Sequence, residues 1–376
     1  TVSGAGLSTT TDFITQYRNS WGDMIWTLIN PSFAQADGSS AELGVPTHFN
    51  GSHVWGSLGS SYAPTLQVVP RTLSASIDTT GRVRLSGFGY EEGPSSSYSV
   101  GSASLTDPDL GGSTVEVTYY READNDTVLA YLPAHGFGPL TIRTSGGSSV
   151  VDVNWLKPST DQTLYDVASD GGDVWVLDNG RVKKVSGSDG STLANYSTVP
   201  YINNGGLQVL PGDLNLGGVV VPSGSLLVTR SDGDVFAVST SDGALLASLN
   251  VTPYVWAVGV VYAPSTGRLY LLDNNTNEVV MVNPSDGSEI GRWAAPYDIS
   301  HGSLALDPSG NSLWIATDQS SQIVQLTLSG VELKRFNAAS ENVTGGITGI
   351  DIDSTGQMLV STYWNVVYRV DPSLTL

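Results

Sequence analysis

From about Leu164 the chain repeats itself at intervals near 44 residues, a period that few folds can absorb. Equivalent valine or isoleucine positions fall at Val182, Val235, Val279, Ile323 and Val366, spaced by 53, 44, 44 and 43 residues. A Ser-Asp-Gly turn follows three of them, at Ser188-Asp189-Gly190, Ser241-Asp242-Gly243 and Ser285-Asp286-Gly287. Leu328-Ser329-Gly330 takes its place in the fourth copy. The excess of the first interval falls in a Pro/Gly/Asn-rich insertion at about 198–215. In the third copy, short apolar and alternating runs between turn residues predict strands over 256–262, 268–273, 278–283 and 289–294. Four strands per unit, joined by tight turns, is the blade of a β-propeller.

Two of these copies resemble NHL- or YVTN-type propeller repeats. One carries Gly267-Arg268-Leu269-Tyr270-Leu271-Leu272-Asp273 and ends at Asp286-Gly287. The other carries Asp307-Pro308-Ser309-Gly310 and Leu313-Trp314-Ile315-Ala316 and ends at Gly330. The resemblance spans about 160–376 and implies a fold rather than a function, since such propellers bind proteins, glycans and small molecules alike. The fifth copy is short: 366–371 reads as its third strand, which leaves only 373–376 for a fourth. An open ring would expose sheet edges. Either the insertion at 198–215 helps to close it or the polypeptide continues past Leu376, and continuation is the expectation. Innermost strands are expected at small or apolar runs such as 216–221 and 346–350.

The first 158 residues repeat on a longer period. Val2-Ser3-Gly4-Ala5-Gly6 matches Leu85-Ser86-Gly87-Phe88-Gly89 at an offset of 83, and Val45-Pro46-Thr47-His48 matches Leu132-Pro133-Ala134-His135 at 87. Gly59-Ser60 matches Gly147-Ser148, and Pro70 matches Pro158, both at 88. The order is kept, and strand-like alternation runs through 114–119 and 140–144, as a two-sheet sandwich requires. Leu85-Ser86-Gly87-Phe88-Gly89 and His135-Gly136-Phe137-Gly138-Pro139-Leu140-Thr141-Ile142 resemble the IPT/TIG class of immunoglobulin-like domains, which implies spacer or binding modules. The expected organisation is all-β: one sandwich over 1–72, a second over 73–159 and a propeller over 160–376. Thr1-Val2-Ser3-Gly4 reads as strand interior, so the numbering is expected to begin inside a longer precursor.

Charge narrows the partners. The chain carries 36 acidic and 16 basic residues, a formal net charge of −20, with lysine only at Lys157, Lys183, Lys184 and Lys334. Such a surface repels phosphate backbones and anionic lipid, so nucleic acid is not expected as a partner and anionic membrane surfaces are disfavoured. No apolar run approaches the ~20 residues a spanning helix needs. Cysteine is absent, which removes disulfides, thiolate metal sites and a cysteine nucleophile.

The usual signatures of chemistry are missing: no Gly-x-Ser-x-Gly elbow, HExxH, Walker A loop or dinucleotide glycine fingerprint occurs. Of four histidines, His48 and His135 occupy equivalent places in the two repeats, where a shared structural role explains them, and His53 is isolated. His301 opens the expected innermost strand of the fourth blade, near the channel, where propeller lyases and lactonases place catalytic groups. The corresponding starts in other blades offer no Glu or His to partner it, so a turn or channel-lining histidine is expected. Calcium is the cofactor weighed: Asp107 and Asp109, Asp124 and Asp126, and Asp273-Asn274-Asn275 supply clustered oxygens. Asp and Asn also favour turns on their own account. Six Asn-x-Ser/Thr sequons, at Asn50, Asn125, Asn195, Asn250, Asn274 and Asn342, permit glycosylation.

Contact residues are sought among aromatics in unexpected places. Tyr363-Trp364 replaces the usual polar turn in the fifth copy, and the aromatic stretch 13–26 holds Trp21 and Trp26, which own-core packing would also explain. The sequence therefore predicts a non-catalytic module of an extracellular or cell-surface protein, structural or adhesive, in which sandwich spacers present a propeller. Its partners would be other copies or neighbouring domains of a surface assembly, or glycans. The alternatives are a propeller enzyme of lyase or lactonase type, which needs converging His, Glu, Asp or Asn in the channel, and a carbohydrate-binding module.

Overall fold

A computed structural model describes residues 134–373 except 145–146, 160–162, 179, 198–204, 252 and 254, together with strands and a few adjoining residues between 2 and 130. The chain divides into two compact units, the second comprising 154–376 with 79–81 and 133–138. In the first unit the described strands form antiparallel sheets. One has the order Thr114–Val117, Ala103–Thr106, Gly138–Thr144, Gly147–Val153; another runs Tyr119–Arg121, Thr127–Ala130, Val83–Phe88, Arg71–Ile77. Nearer the N-terminus lie a four-stranded and a three-stranded sheet. Alternation places Val83 and Leu85 in the interior, and Ile77, Leu140 and Ile142 are equally buried. An immunoglobulin-like sandwich identity is not shown by these sheets. The proposed match of Pro46 to Pro133 and of His48 to His135 involves positions 46, 48 and 133, which lie outside the described residues. His135 itself belongs to the second unit, bridging Lys157.

The second unit is a propeller of five four-stranded antiparallel blades. Blade 1 consists of Leu164–Asp170, Asp173–Asp178, Arg181–Val185 and Thr192–Tyr196. Blade 3 has Ala257–Ala263, Arg268–Asp273, Glu278–Val282 and Glu289–Ala294, close to the strands the sequence predicts. Burial follows position in the blade. Ala257–Ala263 is buried at every residue, whereas outermost Glu289–Ala294 alternates. Inner strands are covered on both faces by neighbouring blades, so their sequences read as continuous apolar runs. The core accordingly lies between blades: one cluster joins Trp175 and Leu177 to Leu226 and Val228, another joins Val261 and Tyr270 to Ile315 and Val324.

The Ser-Asp-Gly turns are inter-blade contacts. Gly243 has φ 74° and Gly330 φ 89°, conformations that L side chains resist. A Cβ on Gly330 would stand 2.7 Å from the Trp293 ring of the preceding blade, and one on Gly287 would overlap the Asn250 carbonyl. The aspartate caps its own turn: Asp286 Oδ1 accepts from Ser288 N at 3.0 Å and Asp242 Oδ1 from Ala244 N at 3.1 Å.

Two sequence expectations need correction. Blade 5, built from Ile347–Ile352, Met358–Thr362 and Val366–Val370, takes its fourth strand from Trp155–Leu156, which lies before blade 1 in the chain. Trp155 pairs with Tyr368 and Leu156 with Val367, and Arg369 N donates to Asn154 O at 2.6 Å. The ring closes there, and neither the insertion nor further sequence is needed to pair that edge. Secondly, 216–221 is not an innermost strand. Leu207–Val209 fills that place, and Leu214–Leu216 pairs with Val219–Val221 as a separate hairpin. That hairpin lays Leu214, Leu216 and Val221 on the cluster between blades 2 and 3, which accounts for their apolar character.

Candidate functional site

The five innermost strands run in the same direction, so the channel has two distinct ends. Between them Asp166 of blade 1 reaches across. Its Oδ1 accepts from Val167 N at 2.9 Å and from Ser303 Oγ of blade 4 at 2.8 Å, and its Oδ2 accepts from Leu207 N of blade 2 at 2.7 Å. In blade 5 the facing residue is Gly349, where a Cβ would overlap this carboxylate. Complete burial pushes Asp166 well above the usual carboxylate range, against the pull of those donors.

At the end where innermost strands begin, His301 precedes Gly302–Leu306. Asp318 follows the second strand of the same blade, Ser312–Thr317, and the antiparallel pairing brings the two residues face to face. Asp318 N donates to His301 O, and His301 N donates to Asp318 Oδ1, both at 3.0 Å. The side chains meet again, with His301 Nδ1 3.5 Å from Asp318 Oδ2. Tyr363 reaches over from blade 5, donating its hydroxyl to Asp318 Oδ2 at 3.1 Å and setting its ring edge-on to the imidazole at 5.3 Å between centroids. Tyr165 of blade 1 stacks on the other side at 6.3 Å. Gly346, the blade 5 counterpart of His301, makes room: a Cβ there would stand 2.8 Å from the Tyr363 ring and 3.4 Å from Asp318 Cβ.

This arrangement is suited to proton transfer. Burial opposes charge on Asp318, but hydrogen bonds from His301, Gln319 and Tyr363 outweigh it and hold the carboxyl at about 2. Asp318 is 9% exposed and His301 29%, so the acid sits behind a base that a ligand can reach. Ser300 Oγ lies 3.3 Å from the same Nδ1, which leaves Nε2 without a hydrogen-bond partner among the described residues. Asp318 and Ser300 thus engage one ring nitrogen and the other is available to accept or give a proton. Since Ser300 contacts the anchored nitrogen, it is not placed as a nucleophile in front of Nε2. Burial and the Asp318 charge push the Tyr363 hydroxyl up, so it stays protonated and donates.

At the other end, Ser169, Gln208, Leu306, Asp351 and Asp353 line a pocket of about 280 Å³. Asp351 accepts from Ser169 N at 2.6 Å, and Asp353 caps its own turn through Thr355 N at 2.8 Å and Gln357 N at 3.0 Å. Burial, with the charge of Asp353 adding to it, pushes Asp351 up to about 7, opposed by backbone hydrogen bonds from Ser169 and Ile352.

The other sequence candidates fall as follows. Asp107, Asp109, Asp124, Asp126 and Trp21 lie outside the described residues, and Trp26 lies on the strand Met24–Ile29. Asp273 uses its carboxylate as a turn clamp, accepting from Trp256 N at 3.1 Å, Asn275 N at 3.0 Å and Thr276 Oγ1 at 2.9 Å. Among the described residues no group of three His, Cys, Asp or Glu side chains stands ready for a metal. Tyr363 is turned into the histidine cluster, while Trp364 is 36% exposed. Sequence reasoning missed Asp318. Its signal is a spacing: Trp256 pairs with Asn274, His301 with Asp318 and Gly346 with Tyr363 through the same backbone hydrogen bond in three successive blades. A partner for His301 has to be sought 17 residues onward in its own blade, not at the strand starts of the others.

No family model matches the chain, and no curated protein matches it. The IPT/TIG, NHL and YVTN resemblances are therefore not shown. Among solved structures the chain is similar to a glutaminyl cyclase of Myxococcus xanthus, with 13% identity, TM-score 0.43, and 58% of this chain and 93% of that one covered. It is similar to a streptogramin B lyase at 13% identity and TM-score 0.35, covering 79% and 92%. It is also similar to the WD40 propeller domain of Doa1 at 11% identity and TM-score 0.38, covering 81% and 92%. The expectation of a propeller that does no chemistry needs correction: its premise, that His301 lacks an acidic partner, fails at Asp318.

Proposed function

We propose that the propeller is an enzyme of lyase or lactonase type, working by acid–base catalysis at the channel end that holds His301. The observation that carries this reading is the contact of His301 Nδ1 with an ionised, hydrogen-bonded Asp318, which leaves Nε2 to face a ligand. His301 takes a proton from the ligand, Asp318 fixes the tautomer and stabilises the imidazolium, and the Tyr363 hydroxyl holds Asp318 in place. Trp256 and Trp364, 38% and 36% exposed, come from the turns at this same end and supply apolar area for the ligand's body. Immunoglobulin-like spacers over the N-terminal repeats and an extracellular setting belong to the same proposal, supported by the near-constant offset of those repeats and by the six sequons.

The test is turnover of a panel of lactones and esters bearing an acidic C–H, followed by mass spectrometry with the full chain and with His301→Ala. Product formation that the substitution removes, with the melting curve unchanged, supports the reading. Product that forms equally in both sinks it, as does a panel with no turnover at all.

A further inference from the structure

A second cavity, of about 530 Å³, opens between blades 3 and 4 at the end of the strands away from His301. Its walls are Arg268, Tyr270, Met281 and Trp293 of blade 3 and Leu328 and Ser329 of blade 4. Two features of these walls bear on a ligand. Arg268 has no carboxylate within ion-pair distance among the described residues, and its Nη1 meets only the Met281 sulfur, at 3.9 Å. Arg292 on the same wall differs, since it is bonded to Glu289 at 2.9 Å and to Glu278 at 2.8 Å and carries no surplus charge into the cavity. The second feature is the Trp293 indole, which lends the cavity its ring while its Nε1 is shut off from solvent. Its ring rests on Gly330, where a Cβ would come within 2.7 Å.

We propose that this cavity is a binding site for a small organic monocarboxylate with an apolar or aromatic body. The carboxylate meets the Arg268 fork, and the body lies against Met281, Leu328 and the Trp293 ring. The volume falls within the range of small-molecule pockets. The formal charge of −20 selects among anions: multiply charged ones are repelled by the whole surface, whereas a monoanion gains apolar burial to offset that repulsion. The site shares no residue with the His301 cluster, so the two proposals stand or fall separately.

Isothermal titration of the full chain with phenylacetate, and in parallel with inorganic phosphate, tests it. Phenylacetate should bind saturably and more tightly than phosphate. Arg268→Gln should weaken it about tenfold or more, as the loss of a charge-assisted pair does. Arg268→Lys should recover part of the loss, and Trp293→Phe should weaken binding less than Arg268→Gln, with melting curves checked for each variant. The proposal is overturned if phenylacetate shows no saturable heat at millimolar concentration, if Arg268→Gln binds as well as the parent, or if phosphate binds as tightly.

Discussion

Both ends of the propeller channel present an aspartate near the axis, yet the two are driven in opposite directions. Asp318 collects donors from His301, Gln319 and Tyr363 and is held at about 2 despite its burial. Asp351 has backbone donors alone, faces the charge of Asp353, and rises to about 7. The residue type is the same, and part of the difference is depth, since burial weighs more heavily on Asp351. It lies also in the donors: Asp318 receives side-chain hydrogen bonds from blades 4 and 5, whereas Asp351 receives none from a side chain. An acid held ionised beside an imidazole can orient a base, whereas an acid held near neutrality with no histidine beside it answers mainly to pH.

The largest effect should come from the base itself. His301→Ala is expected to cost about 10²–10⁴ in kcat/KM, the ordinary worth of a positioned acid–base group. Asp351→Asn at the opposite end should change the same quantity by less than about threefold, since it touches neither His301 nor Asp318. Steady-state kinetics on both variants decide the matter. A comparable loss in Asp351→Asn would place the chemistry at the wrong end.

Next in size is the residue that separates the two ends. Asp166→Ala removes the acceptor for Val167 N, Leu207 N and Ser303 Oγ, which join blades 1, 2 and 4. Each stranded donor costs about 1–3 kcal/mol, so a total of about 3 kcal/mol or more is expected in denaturant unfolding. A loss below about 1 kcal/mol would mean that the blades hold their positions through apolar packing without this cross-channel link.

The propeller was legible in the sequence because its physics is local and repeated. The Ser-Asp-Gly turn, or Leu328-Ser329-Gly330 in its place, marks the point where one blade abuts the previous one in four of the five copies. What escaped was what happens once. Trp155–Leu156 closes the ring from a position more than 200 residues away from its partner, and no period signals a strand so short. The Leu214–Val221 region looked like an inner strand because burial under a hairpin and burial inside a blade both select the same apolar residues. Asp318 was visible as an aspartate in a turn, a place where aspartate needs no further reason, so its second role was hidden behind its first.

A pH series of melting curves sharpens the comparison further. Asp318 has a folded value of about 2 against roughly 3.9 in an unfolded chain, so its contribution is complete above about pH 4 and is lost as pH falls towards 2. Asp351 works with the other sign. Raised to about 7, it favours the folded state when protonated, and that contribution is lost as pH rises from about 4 through 7. Asp318→Asn should flatten the acid limb alone and Asp351→Asn the limb between pH 4 and 7 alone. If either substitution moves both limbs, the two ends are coupled and Asp166 is the residue to suspect.

The smallest effect predicted is that of Tyr363→Phe, and it tests how the His301 end keeps its acid ionised. The substitution removes one hydroxyl that donates to Asp318 Oδ2 at 3.1 Å and leaves the ring edge against His301 in place. The backbone N–H of His301, its imidazole and Gln319 still face the carboxylate, so Asp318 should rise above 2 but stay below the usual range. The stability cost should be about 1.5 kcal/mol, the low end for a hydrogen bond to a charged group, and it should shrink as pH falls towards 2, where that charge is lost. Activity should fall modestly through kcat with KM little changed, because the hydroxyl steadies the residue that orients the base and does not touch the ligand. A KM effect larger than the kcat effect would show instead that Tyr363 binds the ligand directly, and its hydroxyl would then have to leave Asp318 when the site fills.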